Sequence, residues 1–197
     1  MVAAYHLIWT GYGHWLPNDL RGSTSQELRC AKIAPLGEIH FGRKRIQPAG
    51  QVIREFYDAA RGVLKHELLN FDQNKIEIIA ESFANVIKIR EYTCYACAIM
   101  PDHVHLVIRK HRDKAEEMIA NLQNASRTAL QEQDHPIWGG PGWKVFLDSR
   151  EDIVRTIHYV EQNPVKIRQP VQRWPFVKTY EGWLPGQVRI AKPQAGE

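Results

Sequence analysis

Two histidines stand one residue apart in the segment MPDHVHLVI, residues 100–108. The segment is rich in β-branched and aliphatic residues, which is typical of a strand. In a strand, residues two apart share a face and lie roughly 6.6 Å from each other. His103 and His105 therefore point the same way, and two imidazoles on one face can bind one divalent metal ion, since neutral histidine is the commonest metal ligand. The spacing alone leaves open the alternative that both rings only pack.

A tyrosine and an asparagine stand near the end of a predicted helix, residues 150–163. The apolar residues of this helix fall within a narrow arc at 100° per residue: Ile153, Ile157 and Val160. Tyr159 lies about 110° from the centre of that arc, and Asn163 follows one turn later, so their side chains are neighbours. We predict that the helix ends at Pro164, which cannot continue it. A tyrosine beside the apolar stripe is available for chemistry, although an ordinary boundary tyrosine would give the same pattern.

The remaining elements are predicted from periodicity and turn signals. Alternation of β-branched and aromatic residues predicts four strands, at 4–10, 93–100, 103–109 and 143–147. Apolar residues at helical spacing predict three further helices, at 50–69, 73–90 and 113–132. Asp113 and Glu116 form a capping-box pattern at the start of the last of these. The short Pro101-Asp102 connection favours an antiparallel hairpin, and we expect the Asp102 carboxylate to make turn contacts.

Residues 11–49 show no periodicity and are dense in Gly, Pro and Ser. A loop of this length inside a compact domain is usually functional or disordered. It combines aromatic residues with many cations: Arg21, Arg29, Lys32, Arg43, Lys44 and Arg45 beside Trp15 and Phe41. That combination suits nucleic-acid binding, and a solvated surface loop explains it equally well.

Length and composition indicate one globular domain, with 197 residues, 44% hydrophobic and 24% charged. We predict a single domain at 1–185, with 11–49 as a long basic insertion and 186–197 as a tail. The net charge of +4 permits a polyanionic partner without requiring one. No apolar run approaches the roughly 18 residues of a membrane span, and the N-terminus lacks the basic region of a signal peptide. The expected location is therefore the cytoplasm, with no membrane partner.

The number and spacing of the cysteines do not predict a zinc site. Cys94 and Cys97 form one CxxC, and a zinc site would need a second pair at similar spacing. In a regular strand these two thiols would point to opposite faces. We therefore predict buried core thiols.

Four short motifs occur together in an order that resembles a known protein family. They are YHLIWTGYGHWLPNDLRG (5–22), MPDHVHLVI (100–108), IHYVEQNPVK (157–166) and RWPFVKTY (173–180). In this combination the chain resembles the single-tyrosine transposases with a His-hydrophobic-His motif, most closely their REP-associated branch. The resemblance runs over most of residues 5–180 and leaves out 23–50 and the part after 185.

The resemblance implies a fold and a site. The implied fold is α+β, a ferredoxin- or RRM-like antiparallel sheet backed by helices, with the catalytic tyrosine on a C-terminal helix. His103 and His105 match the metal-binding pair, and Tyr159 matches the nucleophile. Asn163 matches the position where an amide completes the metal site, and Mg²⁺ or Mn²⁺ is the implied ion.

The implied activity is metal-dependent DNA transposition chemistry: cleavage and rejoining of single-stranded or hairpin DNA through a 5′-phosphotyrosine, on REP-like palindromes. Relatives are monomers or homodimers. Seven residues are candidates for DNA contact: Arg21, Arg43, Lys44, Arg45, Trp143, Lys144 and Lys166. Three alternatives remain open: a DNA-binding protein of the same fold without turnover, an RNA-binding RRM-like module, and a small hydrolytic metalloenzyme. The RNA-binding module would present aromatic residues where this chain presents histidines.

Overall fold

The computed structural model describes residues 1–23, 25–28, 30–42, 44–131 and 134–186. In chain order its elements are β1 (Ala4–Thr10), a 3-10 turn (Ala31–Leu36), α1 (Gly50–Val63), α2 (Gln73–Arg90), β2 (Cys94–Ile99), β3 (His103–Arg109), α3 (Ala115–Leu130), β4 (Trp143–Leu147) and α4 (Arg150–Lys166). Each predicted strand agrees with an observed strand to within one residue at either end. Of the predicted tail, residues 187–197 lie outside the described residues, as do Arg29 and Arg43.

The four strands form one sheet in the order β2-β3-β1-β4. Every neighbouring pair is antiparallel. The β2–β3 hairpin is tight, as its short connection predicts, because the Met100 N–H donates to the His103 carbonyl at 2.7 Å. With α2 before this hairpin and α3 after it, the elements follow the β-α-β-β-α-β order of ferredoxin-like folds. The prediction of an α+β fold with a ferredoxin- or RRM-like antiparallel sheet is confirmed.

The sheet packs against helices on both faces. On one face Leu7 belongs to a core that includes Phe83 of α2 and Met118 of α3. On the other face Val107 belongs to a smaller core with Val160 of α4. Residues of β3 alternate between these two cores, as the pleat of a strand requires. Since His103 and His105 alternate in step with Val107, they lie on the face that α4 covers.

Helix α4 continues past Pro164 to Lys166, so the prediction that it ends at Pro164 was wrong. A proline inside a helix removes one backbone hydrogen bond and crowds the preceding turn. Here the affected carbonyl is that of Val160, and the helix runs only two residues beyond the proline, so little helix remains to be disturbed. The turn is closed by the Ile167 N–H, which donates to the Pro164 carbonyl at 3.0 Å. Asn163 therefore has helical backbone although a proline follows it.

Helix α3 begins with a different cap from the one predicted. Lys114 is its N-cap, and the Lys114 N–H donates to the Glu117 carboxylate at 2.7 Å. The predicted Asp113–Glu116 box was wrong, because the Asp113 carboxylate accepts from the Tyr92 hydroxyl at 2.7 Å.

Helix α1 ends at Val63, whereas periodicity predicted helix to residue 69. Leu64 has an extended backbone, and the Leu69 N–H donates to the Tyr12 carbonyl at 3.1 Å. The apolar residues of this connection, Leu64, Leu68 and Leu69, repeat at a spacing that also fits a helix, which is why the predicted helix is too long.

The segment that follows α4 pairs with the outer edge of β2. The Gln172 side chain accepts from the Ile99 N–H and donates to the Ile99 carbonyl, both at 2.8 Å. At the other end of β2 the Lys178 N–H donates to the Cys94 carbonyl at 2.8 Å. Backbone groups at the two ends of this edge strand are thus satisfied by the segment that follows α4.

Cys94 and Cys97 lie in the same buried core, not on opposite faces. The reason is a register shift between Cys94 and Ala96, a β-bulge that turns the first cysteine toward the second. Burial raises the pKa of the Cys94 thiol to about 12 and raises the pKa of Cys97 as well. Cys30 is exposed.

We expect one thiol to react with a chromogenic disulfide reagent in the native protein at pH 7, and all three after unfolding in guanidinium. The thiolate is the reactive species, and at a pKa of about 12 only about one Cys94 thiol in 10⁵ is ionised at that pH. Cys30→Ser should leave no rapidly reacting thiol in the native state. Rapid reaction in native Cys30→Ser would contradict the buried placement of both β2 cysteines.

Candidate active site

The two motif histidines lie together on one face of the sheet, in the first half of β3. His105 is paired with Ile8 of β1 on one side and Ala98 of β2 on the other. It is buried, whereas His103, at the start of β3, is half-buried. The two ring centroids are 4.7 Å apart, with the ring planes at 88°. Strand alternation thus brings the predicted pair onto one face.

Each of these two imidazoles has its Nδ1 atom held by a neighbour. His103 Nδ1 lies 2.5 Å from Asp102 Oδ1, and His105 Nδ1 lies 3.0 Å from His6 Nε2. A neutral imidazole carries one N–H and one lone pair, so a proton on Nδ1 leaves the Nε2 lone pair for a ligand. Metal-binding histidines are usually oriented by such a contact at their second nitrogen. The pair therefore fits a divalent ion bound at Nε2 of both rings.

The Asp102 carboxylate contacts His103, beyond the turn contacts expected from the sequence. Burial alone would raise the pKa of Asp102, but the hydrogen bond from His103 and the nearby charges of His103, His14 and Arg21 outweigh it. The pKa of Asp102 is therefore lowered from its ordinary value. An ionised Asp102 favours the proton on the near nitrogen of His103, which keeps the far nitrogen available.

His6 is a site residue that the sequence does not single out. It lies opposite Val107 and Val145 on the face of the motif histidines. Its ring stacks on His105 with centroids 5.1 Å apart and meets the Tyr159 ring edge-on at 5.9 Å. In the sequence His6 is one polar residue in an apolar strand, and nothing local connects it with His105.

Burial keeps the inner two histidines uncharged. It lowers the pKa of His6 to about 4. It also lowers the pKa of His105, and the positive charges of His103, His6 and Lys166 add to that effect. Both rings are neutral at pH 7, the state in which an imidazole can bind a metal.

Tyr159 projects from α4 toward the histidines. Its side chain is 37% exposed, and its ring centroid lies 5.6 Å from that of His105, with the planes at 84°. The Lys166 Nζ atom lies 4.2 Å from the centroid of the Tyr159 ring. Val160, the next residue, is buried in the core, so the predicted position of the tyrosine beside the apolar stripe is observed. An accessible phenol, two imidazoles and an ammonium group therefore share one edge of the molecule.

Asn163 lies one turn beyond the tyrosine and is buried. Its Nδ2 donates to the Tyr159 carbonyl at 2.9 Å, and its Oδ1 lies 3.4 Å from Lys166 Nζ. In the part of the chain that the structure describes, no three His, Cys, Asp or Glu side chains converge as a metal site. The side chain of Asn163 contacts Tyr159 and Lys166, so its role as a third ligand stays a prediction.

The WLPNDLRG segment forms a network beside His103. Arg21 pairs with the buried Asp19 at 2.7 Å and stacks on Trp15, 3.9 Å from its ring. The Tyr57 hydroxyl donates to the same carboxylate at 2.5 Å. The Trp15 ring lies 6.5 Å from that of His103. The Arg21 guanidinium thus stabilises the wall of the site, and its contact with DNA stays a prediction.

The two β4 candidates point to opposite faces of the sheet. Trp143 pairs with Ile8 on the face of the histidines and is 44% exposed. Lys144 pairs with Leu7 on the other face and forms an ion pair with Glu116. The structure thus brings Trp143 to the face of the site and places Lys144 away from it.

The basic loop provides a test of phosphate contact. Lys44 and Arg45 are exposed, and Arg43, predicted with them, lies outside the described residues. We expect replacement of all three by alanine to reduce the salt dependence of single-strand binding by about 0.7 slope units per lost phosphate contact. Fluorescence anisotropy with a labelled oligonucleotide across a salt series measures this slope.

The matched control for the loop variant is Lys88→Gln with Arg90→Gln, two cations at the end of α2. Both lie on a helix that packs on the face away from the histidines, so this variant should keep the wild-type slope. A loop variant with the wild-type slope would show that the three cations do not contact phosphate.

Comparison with known proteins gave no matching family model and no matching curated protein. Among solved structures, one similar chain is a REP-associated tyrosine transposase bound to a REP hairpin, with 12% identity, a TM-score of 0.49, and coverage of 88% of this chain and 74% of the other. Another is a protein of Deinococcus radiodurans R1 described as a candidate transposase, with 12% identity, a TM-score of 0.38, and coverage of 86% and 93%. The first of these is of the kind that the sequence motifs resemble. Both likenesses are too distant to carry an activity over, so function rests on the geometry of the site.

Proposed function

We propose that the protein is a metal-dependent nuclease and strand transferase of the transposase type, which cleaves single-stranded or hairpin DNA through a covalent bond to Tyr159. One observation carries the proposal. A half-exposed tyrosine stands 5.6 Å, ring centroid to centroid, from one of two histidines whose Nδ1 atoms are both already held. Packing requires neither the exposure of the phenol nor this orientation of the two imidazoles.

The chemistry assigns a role to each group. A Mg²⁺ or Mn²⁺ ion bound by His103 and His105, with Asn163 as the predicted third donor, would supply Lewis-acid polarisation of the scissile phosphate. The Tyr159 oxygen attacks phosphorus, so that a tyrosine O–P bond forms while the O3′–P bond breaks. The phenol loses a proton and O3′ gains one, leaving a 3′-OH and a 5′-phosphotyrosine. Lys166 stabilises the negative charge that develops on the phenol oxygen.

This route conserves the energy of the broken bond. One phosphate ester is exchanged for another, and the reverse attack by a 3′-OH rejoins a strand without ATP. The same Tyr159 can therefore serve cleavage and strand transfer, which a hydrolytic enzyme using water could not do.

The direct test is covalent trapping with a labelled hairpin oligonucleotide in the presence of Mn²⁺. With a 3′ label, we expect a labelled protein–DNA species on a denaturing gel, because the downstream fragment stays on the tyrosine. With a 5′ label, the label should leave on a shorter free strand that ends in a 3′-OH. Chelation by EDTA should remove both products.

The same hairpin separates the alternatives when a native binding assay, with single-stranded RNA as a second probe, is run beside the denaturing gel. Metal-dependent cleavage without an adduct would indicate a hydrolytic metalloenzyme. Binding of the hairpin without cleavage would indicate a DNA-binding protein of the same fold. Preferential binding of single-stranded RNA would indicate an RRM-like module.

The third ligand can be tested separately. If Asn163 binds the ion, Asn163→Ala should raise the metal concentration for half-maximal cleavage roughly 10–100-fold. A Mn²⁺ titration of adduct formation measures this. Gln162→Ala, one residue earlier on the helix, serves as the control and should titrate like the wild type. An unchanged midpoint in Asn163→Ala would make this residue a helix-stabilising amide only.

The substrate, the cellular location and the oligomeric state are further parts of the proposal. None of the described helices combines the length and apolarity needed to cross a membrane. We propose single-stranded or hairpin DNA, including REP-like palindromes, as the substrate, a cytoplasmic site of action, and a monomer or homodimer as the active form.

A further inference from the structure

We infer that His6 is a positioning residue that holds His105 in the tautomer able to bind metal and that seats the ring of Tyr159. This role rests on the proposed function and deepens it, because it gives a task to a histidine outside the matched His-hydrophobic-His motif.

The contact between the two rings allows only one shared proton. His6 Nε2 lies 3.0 Å from His105 Nδ1, and the two residues are 7% and 5% exposed. Two lone pairs at this distance would repel, and two N–H groups would clash, so one nitrogen donates and the other accepts. The position of that proton fixes which nitrogen of His105 is protonated.

Only one of the two arrangements leaves His105 able to bind an ion. If His105 Nδ1 donates to His6, its Nε2 keeps a lone pair. If His6 donates instead, His105 carries its proton on Nε2, where that proton blocks a ligand bond. The neutral tautomer favoured by free histidine is the blocked one, so an acceptor at Nδ1 is needed to reverse the preference.

The two motif histidines are therefore oriented by different acceptors. His103 lies at the rim, where the partly exposed carboxylate of Asp102 accepts from it. His105 lies deep in the sheet, where a second unpaired carboxylate would carry a large desolvation cost. A neutral imidazole accepts a hydrogen bond at this depth without that cost.

His6 also touches the nucleophile. Its ring meets Tyr159 edge-on at 5.9 Å and stacks on His105 at 5.1 Å. The same side chain thus packs against both the His105 ring and the phenol, which also contact each other. Its Nε2 faces the Nδ1 side of His105, away from the Nε2 edge where an ion would sit, so we assign it a positioning role and not that of a third ligand.

Two variants separate the hydrogen bond from the ring. His6→Phe keeps an aromatic ring against His105 and Tyr159 but removes the acceptor. His6→Gln removes the ring but offers an amide oxygen at similar reach. Long-range ¹H–¹⁵N correlation spectra of the metal-free protein report the tautomer of His105 directly, and calorimetry with Mn²⁺ reports the affinity.

We expect the wild-type spectrum to show His105 protonated on Nδ1. In His6→Phe the proton should move to Nε2, and the Mn²⁺ dissociation constant should rise roughly 10–100-fold. His6→Gln should restore the Nδ1–H form and most of the affinity. Ile99→Val, a small truncation in the opposite core, controls for lost stability and should leave both readouts unchanged.

Either of two results would overturn the inference. One is the finding that His105 is protonated on Nε2 in the metal-free wild type. This measurement does not depend on whether any variant folds. The other is an unchanged tautomer in folded His6→Phe. The absence of a DNA adduct with the wild-type protein would instead contradict the proposed function, while the tautomer result would still decide the role of His6.

Discussion

Tyr159→Phe should abolish the covalent protein–DNA adduct while leaving the fold and the binding of intact hairpin DNA unchanged. The change removes one oxygen and keeps the ring, so the contacts of that ring with His6 and His105 persist. Loss of one hydroxyl should shift the free energy of unfolding by no more than about 1 kcal/mol. A denaturing gel with 3′-labelled hairpin measures the adduct, and thermal unfolding and anisotropy measure stability and binding.

The matched control is Tyr180→Phe. Its hydroxyl donates to the Trp183 carbonyl at 2.9 Å, and its ring packs on Tyr95 of β2, beside the smaller core. This variant should form adduct at the wild-type level. Mass spectrometry of the trapped wild-type peptide should place the modification on Tyr159. An adduct on another tyrosine would contradict the assignment of Tyr159 as the nucleophile.

His103→Ala and His105→Ala should each reduce cleavage on the order of 100-fold or more and weaken Mn²⁺ binding. Each removes one of the two imidazoles proposed to bind the ion. His105 is the more deeply buried of the two, so its replacement should also cost more stability. Circular dichroism checks the fold, and calorimetry measures Mn²⁺ affinity.

His111→Ala is the control for loss of a histidine. Its ring packs on Tyr92 at 5.0 Å, next to the core on the other face of the sheet, so cleavage should stay at the wild-type rate. If His103→Ala or His105→Ala were folded and cleaved DNA at the wild-type rate, the metal site would have to lie elsewhere.

The parts of the site that the sequence predicted are those set by local geometry. Alternation along one strand places His103 and His105 together, and the helical wheel places Tyr159 beside the apolar stripe. His6 and His105 are 99 residues apart in the chain, and they meet only because β1 lies next to β3. No local sequence pattern predicts the pairing of β1 with β3, and therefore none predicts the contact between His6 and His105.

Element ends were harder to predict for a related reason. A tertiary partner decided whether Asp113 capped a helix or bound Tyr92. Position within the helix decided that Pro164 was tolerated, since it falls in the last turn. Strict alternation failed at Cys94, where a bulge changed the face of one residue. In each case the local preference was small enough for packing to override it.

The pairing of Gln172 and Lys178 with β2 bears on how this protein behaves at high concentration. An exposed edge strand is a template for another chain, and growth into a fibre needs an open edge at both sides of every sheet. Here the segment that follows α4 occupies hydrogen-bonding groups at both ends of β2. Pairing at both ends of β2 hinders a new strand on that edge, so we expect strand addition between copies to favour the β4 edge.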